Sequence, residues 1–410
     1  MRSTHKSLAV AAIVCALFAG ADATRVASQT EPGITPTEIL LGGTHPFSGP
    51  ASAYGAIGKG AEAYFSYVND KGGVNGRKIT YKDLDDGYNP TQALQLTKQL
   101  VEQDGVFAMF NTLGTAVNTA LRPYLNERGV PQLFVASGAS TWGAEGARYP
   151  WTIGWQPDYQ SESIVYAHSL LAHNSNPKIG VLYQNDDYGQ DYLTGLQRGL
   201  GSKTNLIVKS VSYEVTDPDV TSQIASLKSS GADTLFIFAT PKFSTQALVA
   251  VNQQAWHPVV YLNSVSNSQS VMRAATTAGT AAATNGVITT IYLKDPSDAA
   301  LASDPGIVLY KSIMTKYLPS ADASNGFYLF GMSTAFTMVD ALEKAGKNPT
   351  RRKVIDAALH LNEHNNQLVM NGIFVQTTPA QRFPITQEQL VRYDAGKWVA
   401  SGPIVDARAR

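Results

Sequence analysis

The chain has 410 residues, 44% of them hydrophobic and 16% charged, and its 32 basic side chains are balanced by 32 acidic ones. A water-soluble chain of this length exceeds what one compact core holds, so two lobes are expected. Balanced charge with no basic run excludes the electrostatic footprint of a nucleic-acid binder.

The first residues belong to a different class. Arg2, His5 and Lys6 give a basic start, residues 8–20 are an almost unbroken apolar run, and Ala21-Asp22-Ala23 fits the small-residue pattern cut by signal peptidase. That run is shorter than the roughly 20 residues a helix needs to span a membrane. Residues 1–23 therefore read as a secretory signal peptide, and the mature protein as periplasmic. Cys15 follows Val14 inside the apolar run, which argues against a lipid anchor. It is the only cysteine, so after cleavage the fold rests on its core and not on disulfides.

From Thr35 onward, short β-branched or aromatic runs alternate with amphipathic helical periods, the signature of parallel βαβ units. A strand is predicted over 38–43. A helix follows on Ile57, Ala61, Tyr64, Phe65 and Val68 and stops at Gly72-Gly73. Asn89 then caps a helix with Pro90 in its first position. Strands over 106–110 and 131–136 enclose a helix on Val117, Leu121 and Leu125.

A second series begins after Trp155, with strands over 178–183, 206–213, 234–239 and 259–262 and a helical period between each pair. These strands are nearly continuous apolar runs, as expected when helices cover both sheet faces. The Ala/Thr/Ser-rich stretch 269–286 reads as an exposed helix and a crossover. A strand over 286–292, helices near 304–317, 326–344 and 350–361, and late β-structure at 371–375 and 389–393 complete the pattern.

Catalytic spacings are missing. There is no G-x-S-x-G elbow, although Ser137 and Ser140 flank Gly138 after a strand, and there is no H-E-x-x-H. The stretch Gly55-Ala56-Ile57-Gly58-Lys59-Gly60 lacks the order of a dinucleotide or phosphate loop. His360 and His364 have a spacing that places two imidazoles on one helical face, but Asn362, Asn365 and Asn366 mark a fraying helix end. The expectation is a non-enzyme with no metal and no cofactor.

What remains is a set of loops at the carboxyl ends of strands, where parallel α/β sheets bind ligands. They are Ser48-Gly49-Pro50 with Tyr54, Gly114-Thr115, Ser137-Gly138-Ala139-Ser140, Asp186-Asp187-Tyr188-Gly189, and Thr240-Pro241. Helix N-termini there suit a carboxylate, and tyrosines supply apolar walls with polar tips.

Three segments in order carry a resemblance: Ser48-Gly49-Pro50-Ala51 with Tyr54-Gly55, then Asn69 with Gly72-Gly73-Val74-Asn75-Gly76-Arg77, then Asp187-Tyr188-Gly189. Over residues 35–400 the chain resembles the Leu/Ile/Val-binding family, the type I periplasmic solute-binding proteins of ABC importers. The resemblance implies an α/β fold of two doubly wound parallel-sheet lobes joined by a three-stranded hinge. It assigns 34–153 plus 287–369 to the first lobe and 154–286 plus 370–410 to the second, with crossovers near Ile153, Gly286 and Met370. It further implies that Thr115, Gly138, Ala139 and Ser140 hold a ligand carboxylate. Tyr54, Tyr188, Thr240, Val265 and Phe327 would complete the site.

One departure is informative. Amino-acid binders of the family carry an acid after the strand at 259–262, to pair with the ligand ammonium, whereas this chain has Asn263-Ser264-Val265-Ser266. A buried ammonium without a carboxylate is costly. Unless Asp186 or Asp187 substitutes, the expected ligand is an aromatic or aliphatic acid, or an amide. The expected partners are that small molecule and a membrane permease, with the protein acting as a monomer. A sensor feeding a signalling partner is the first rival reading, and a secreted hydrolase using Ser140 or Ser137 the second.

Overall fold

The computed structural model describes residues 31–408, and the predicted leader lies outside the described residues. Strands β1 (Glu38–His45), β2 (Lys78–Asp85), β3 (Ala108–Phe110), β4 (Gln132–Val135) and β5 (Thr152–Gly154) form a parallel sheet in the order β2-β1-β3-β4-β5. Strands β6 (Ile179–Gln184), β7 (Ile207–Tyr213), β8 (Thr234–Phe238), β9 (Val259–Leu262) and β10 (Ile288–Ile291) form the parallel part of a second sheet, ordered β10-β9-β8-β6-β7. A short antiparallel ribbon of β11 (Asn362–Glu363) and β12 (Val375–Gln376) stands apart. Strands β13 (Gln387–Asp394) and β14 (Lys397–Asp406) then extend the second sheet beyond β10 with antiparallel pairing.

The buried apolar runs predicted as strands form strands because both sheets are covered by helices. Leu235, Phe236, Ile237 and Phe238 in β8 are all fully buried. β2 had no such signal. Its sequence KITYKDLD mixes charges through the strand, since it lies at the sheet edge and is only half-buried. In the first lobe, the long helix Gly326–Ala345 crosses the helix Gly55–Asp70 in backbone contact. A Cβ on Gly60 would lie 2.2 Å from the Tyr328 carbonyl oxygen, and one on Gly331 2.0 Å from that of Ile57, so only glycine fits at either point.

Sheet membership moves two of the expected boundaries. The chain leaves the first sheet after β5, close to the crossover expected at Ile153. β10 belongs to the second sheet, so the return crossing falls at residues 292–294 and not at Gly286. There the backbone runs beside residues 368–370, with Met370 N donating to Tyr292 O at 3.0 Å and Lys294 N to Leu368 O at 3.1 Å. Ile373, Val375 and Ile385 pack into the first-lobe core, so the last crossing precedes β13 and not Met370. Apolar packing keeps residues 370–386 with the first lobe.

The helix predicted over 350–361 stops at Ala358, and His360 and His364 do not share a helical face. Between them, Glu363 is buried at 2% exposure and belongs to a chain of hydrogen bonds that reaches the hinge. Trp155 Nε1 donates to Thr337 Oγ1 at 2.9 Å, Thr337 Oγ1 donates to Glu363 Oε2 at 2.9 Å, and Asn366 Nδ2 donates to the same oxygen at 3.3 Å. Burial raises the Glu363 carboxyl to about 8. The folded state therefore holds a proton that the unfolded chain releases near the ordinary carboxylate pKa. This group favours folding most below pH ~4.5, and its contribution is lost progressively as pH rises to about 8. Glu363→Gln should flatten that dependence in urea titrations, leaving stability near pH 4 unchanged and raising it at pH 8 by on the order of a few kcal/mol. Equal pH profiles for the two proteins would contradict a protonated Glu363.

Candidate functional site

The carboxyl ends of both sheets face one another across a cleft, and the loops beyond them enclose a cavity of about 110 Å³. Its walls are largely aromatic. Tyr54 meets Phe327 edge to face at a ring separation of 5.1 Å, and Tyr159 meets Tyr188 in the same way at 5.3 Å. Tyr292 and Phe330 form the hinge side, each packed against Trp155. Burial raises the pKa of the Tyr54, Tyr88, Tyr159 and Tyr188 phenols, so these hydroxyls are neutral.

Hydroxyl groups from both lobes reach the cavity. In the first lobe, Ser137 Oγ accepts from Trp142 Nε1 at 3.0 Å and from Ala139 N at 3.2 Å. Its own proton then serves the 2.7 Å bond to Thr115 Oγ1, which leaves the Thr115 hydroxyl as a donor. Thr115 also opens the helix Thr115–Glu127, whose N-cap Gly114 sits at φ 100° and provides no capping side chain. The first-turn N–H groups and the positive end of the helix dipole stand at the cavity wall. In the second lobe, Tyr188 Oη accepts from Asn263 Nδ2 and retains its own proton for another partner.

Among the described residues that line the cavity, no carboxylate is left without a partner. Asp186 caps the helix Asp187–Leu200 through Tyr188 N at 3.0 Å and Gly189 N at 3.3 Å, and it also accepts from Gln184 Nε2 at 2.6 Å. Asp187 is exposed. Two charged residues do reach the cavity wall beside the hinge, and both are engaged. Lys294 Nζ contacts both Asp304 carboxyl oxygens at 2.8 Å, while Asp295 accepts from Gln269 Nε2 at 3.0 Å and from Ser297 N and Oγ at 2.8 and 2.7 Å. Behind the loop 263–266, the fully buried Glu162 accepts from Ser264 N and Ser264 Oγ, both at 2.7 Å, and thereby fixes the loop that presents Val265.

Of the nine residues expected in the site, Tyr54, Thr115, Tyr188, Thr240, Val265 and Phe327 line the cavity. Gly138, Ala139 and Ser140 do not. The Gly138 carbonyl accepts from Tyr159 N at 2.7 Å and Ala139 N turns to Ser137, so this loop folds back on itself. Ser140 instead joins the lobes: its N and Oγ donate to the Asp191 carboxylate at 2.7 and 2.8 Å, and Gln160 Nε2 donates to the same carboxylate at 2.6 Å. Neither Ser137 nor Ser140 has a histidine partner among the described residues. Tyr88, Gln156, Tyr159, Tyr292 and Phe330 were not anticipated. Tyr88 follows the unrecognised edge strand β2, Gln156, Tyr159 and Tyr292 lie at or beside crossings, where hydrophobic period carries no signal, and Phe330 sits inside the helix Gly326–Ala345; an aromatic residue soon after a strand end was the available clue for Tyr88, Tyr159 and Tyr292.

Further contacts span the cleft. Tyr54 Oη donates to Val265 O at 3.1 Å, Ser268 Oγ donates to Asn325 Oδ1 at 3.0 Å, and Arg273 pairs with Asp322.

Two sheets with facing carboxyl edges, joined by chain crossings, thus enclose an aromatic cavity bridged by contacts from both sides. The chain belongs to the periplasmic binding protein family, whose sequence profile matches residues 38–397. A Leu/Ile/Val-binding protein homolog of Brucella melitensis is 26% identical over 200 residues, covering 48% of this chain and 54% of that protein. The chain thus spans about half the length of that curated relative. Among solved structures, a fatty acid ABC transporter substrate-binding protein from Thermomonospora curvata superposes with a TM-score of 0.78 at 21% identity, covering 93% of this chain and 96% of that one. A branched-chain amino acid ABC transporter protein from Thermus thermophilus, with bound valine, gives 0.79 at 16% identity, covering 90% and 96%. At these identities the likeness concerns the fold alone.

The two bonds from Ser140 to Asp191 join the lobes. Asp191→Ala removes them, and small-angle scattering of the unliganded protein should then give a larger radius of gyration than the parent. An unchanged radius would mean that this contact does not contribute to closure.

Proposed function

We propose that this protein is the extracytoplasmic receptor of an ABC importer and captures a small carboxylate that lacks an α-ammonium group, an aromatic or aliphatic acid. The reading rests above all on the cavity wall. An uncapped helix N-terminus and the Thr115 hydroxyl offer donors to an anion, and the other polar end is the neutral pair Tyr188–Asn263 where an ammonium would need a carboxylate. The cavity is of the same order as the roughly 150 Å³ apolar cavity that takes up one benzene ring. Its aromatic walls suit a ring or a short branched chain over a long one.

The carboxylate lies at the first lobe against Gly114 and Thr115, while the body of the ligand packs between Tyr54, Tyr159, Tyr188 and Phe327. Contacts to both lobes favour the closed form, and only that difference in affinity between open and closed states shifts the population. The closed form is the one offered to the permease. Residues 1–23 direct export and are removed. Asp295 supports a second reading, an amino-acid ligand, because its carboxylate is at the wall beside the hinge.

A thermal-shift screen of the refolded, ligand-stripped mature chain separates the two readings. A ligand present at 100 times its dissociation constant adds ~2.7 kcal/mol to stability, a readily visible shift. Benzoate-like and branched aliphatic acids should stabilise the parent and leave Tyr188→Ala unshifted, whereas Asn263→Asp should gain a response to the matching α-amino acids. Leucine or valine stabilising the parent, with loss of that response in Asp295→Asn, would establish the amino-acid reading instead. Unchanged affinity in Tyr188→Ala would place the site elsewhere.

A further inference from the structure

A second concavity lies at the opposite end of the second sheet, at the amino ends of its strands. β9 and β10 are paired only at Tyr261 and Ile288, where β10 begins, so Val259 and Val260 of β9 have no partner in β10. The opening is a groove of about 810 Å³ between the end of the helix Tyr159–His173, the start of β9, the turn before β10, and strands β13 and β14. That volume falls within the ~300–1,000 Å³ range typical of small-molecule sites.

The surface of this groove has two distinct components. Val259 at 48% and Val399 at 40% exposure belong to the few large hydrophobic residues that the described chain leaves open to water, and both lie in this one groove, next to Pro258 and Trp256. Exposed apolar side chains that gather in one depression mark a binding surface more strongly than scattered ones do. The charged component is of one sign. Arg392 is exposed at the groove, and its guanidinium has no hydrogen-bond or ion-pair partner among the described residues. No Asp or Glu lines the groove, and the remaining polar groups include the His257 ring and the His173 ring, whose Nδ1 lies 2.8 Å from Ser169 O.

We propose that this groove is a second ligand site, separate from the cleft, that takes an amphipathic monocarboxylate. The apolar chain lies over Val259 and Val399, and the carboxylate forms a forked pair with Arg392, the geometry a guanidinium favours. A single anionic head on an apolar body matches one unpaired cation above an apolar floor, and the absence of any acid in the lining removes the repulsion that would exclude it. The site is independent of the reading given for the cleft.

Trp256 is a reporter built into the wall, held by a 3.1 Å bond from Nε1 to Ala232 O. Decanoate, titrated below its micellar range into Tyr188→Ala protein, should change tryptophan emission to saturation at one equivalent, and Trp256→Phe should abolish that change. Arg392→Glu and Val259→Asp should each weaken decanoate at least tenfold, while their melting temperatures and their response to the cleft ligand stay at parent values. Decyltrimethylammonium, with the same chain and the opposite charge, should give no saturable change. If both amphiphiles bind alike, if decanoate binding survives Arg392→Glu, or if Tyr188→Ala alone abolishes it, the proposal fails. Arg392→Gln provides the same comparison without charge reversal should the glutamate variant not fold.

Discussion

An α-helix that begins against an enclosed space needs partners for its first N–H groups. The helix Thr115–Glu127 meets that need incompletely, because its N-cap is Gly114, which has no side chain to accept them. Most other helices of the chain carry their own cap: Asn89, Asp158, Asp186, Asp304, Asn325 and Thr350 each accept from the first turn that follows. An uncapped start at Thr240, before the helix Pro241–Gln253, also lines the cleft; the one at Gly114 belongs to the first lobe. Much of the surrounding structure can be understood as support for that exposed dipole. The parallel sheet aims it, Ser137 orients the Thr115 hydroxyl toward the same point, and the aromatic walls keep the local dielectric low enough for neutral donors to matter.

The second lobe contributes differently. Its helix Asp187–Leu200 is already capped by Asp186, so at that point the lobe brings side chains. Tyr188 and Asn263 hold one another, and the loop bearing Val265 is anchored from behind by Glu162, which receives hydroxyls from Tyr166 and Tyr192 as well as both Ser264 donors. The first lobe thus offers a helix start and a hydroxyl, and the second offers side chains held from behind. The hinge joins these halves through packed rings: Trp155 touches Tyr292 and Phe330 at the cavity and Thr337 inside the first lobe.

Much of the frame was legible in the sequence, because covered parallel strands must be apolar throughout and the helices between them must be amphipathic. Ten strand predictions overlap observed strands, whereas β2 escaped because an edge strand tolerates Lys78, Lys82, Asp83 and Asp85. The loops that line the cavity were found for the same reason, since they follow strand ends. What the sequence could not reveal was which hydroxyl in those loops faces inward. Ser140 has the right type and position for a ligand contact, yet Asp191 from the other lobe occupies it, and no local pattern links residues so distant in sequence. The crossings were displaced for a related reason: whether residues 286–292 end one lobe or begin the other depends on their pairing with β13, a long-range contact.

The bond between Ser140 and Asp191 also bears on how little a small ligand has to contribute. A compact acid has few atoms, and each supplies at most about 1.5 kcal/mol. Where part of the closing energy is already built into the two lobes, such a ligand needs only to tip a balance that the protein has nearly set. The cost is that a stronger bond between the lobes also favours closure that encloses nothing. The strength of one half-buried carboxylate, that of Asp191, therefore sets a trade between tight capture and unproductive closure.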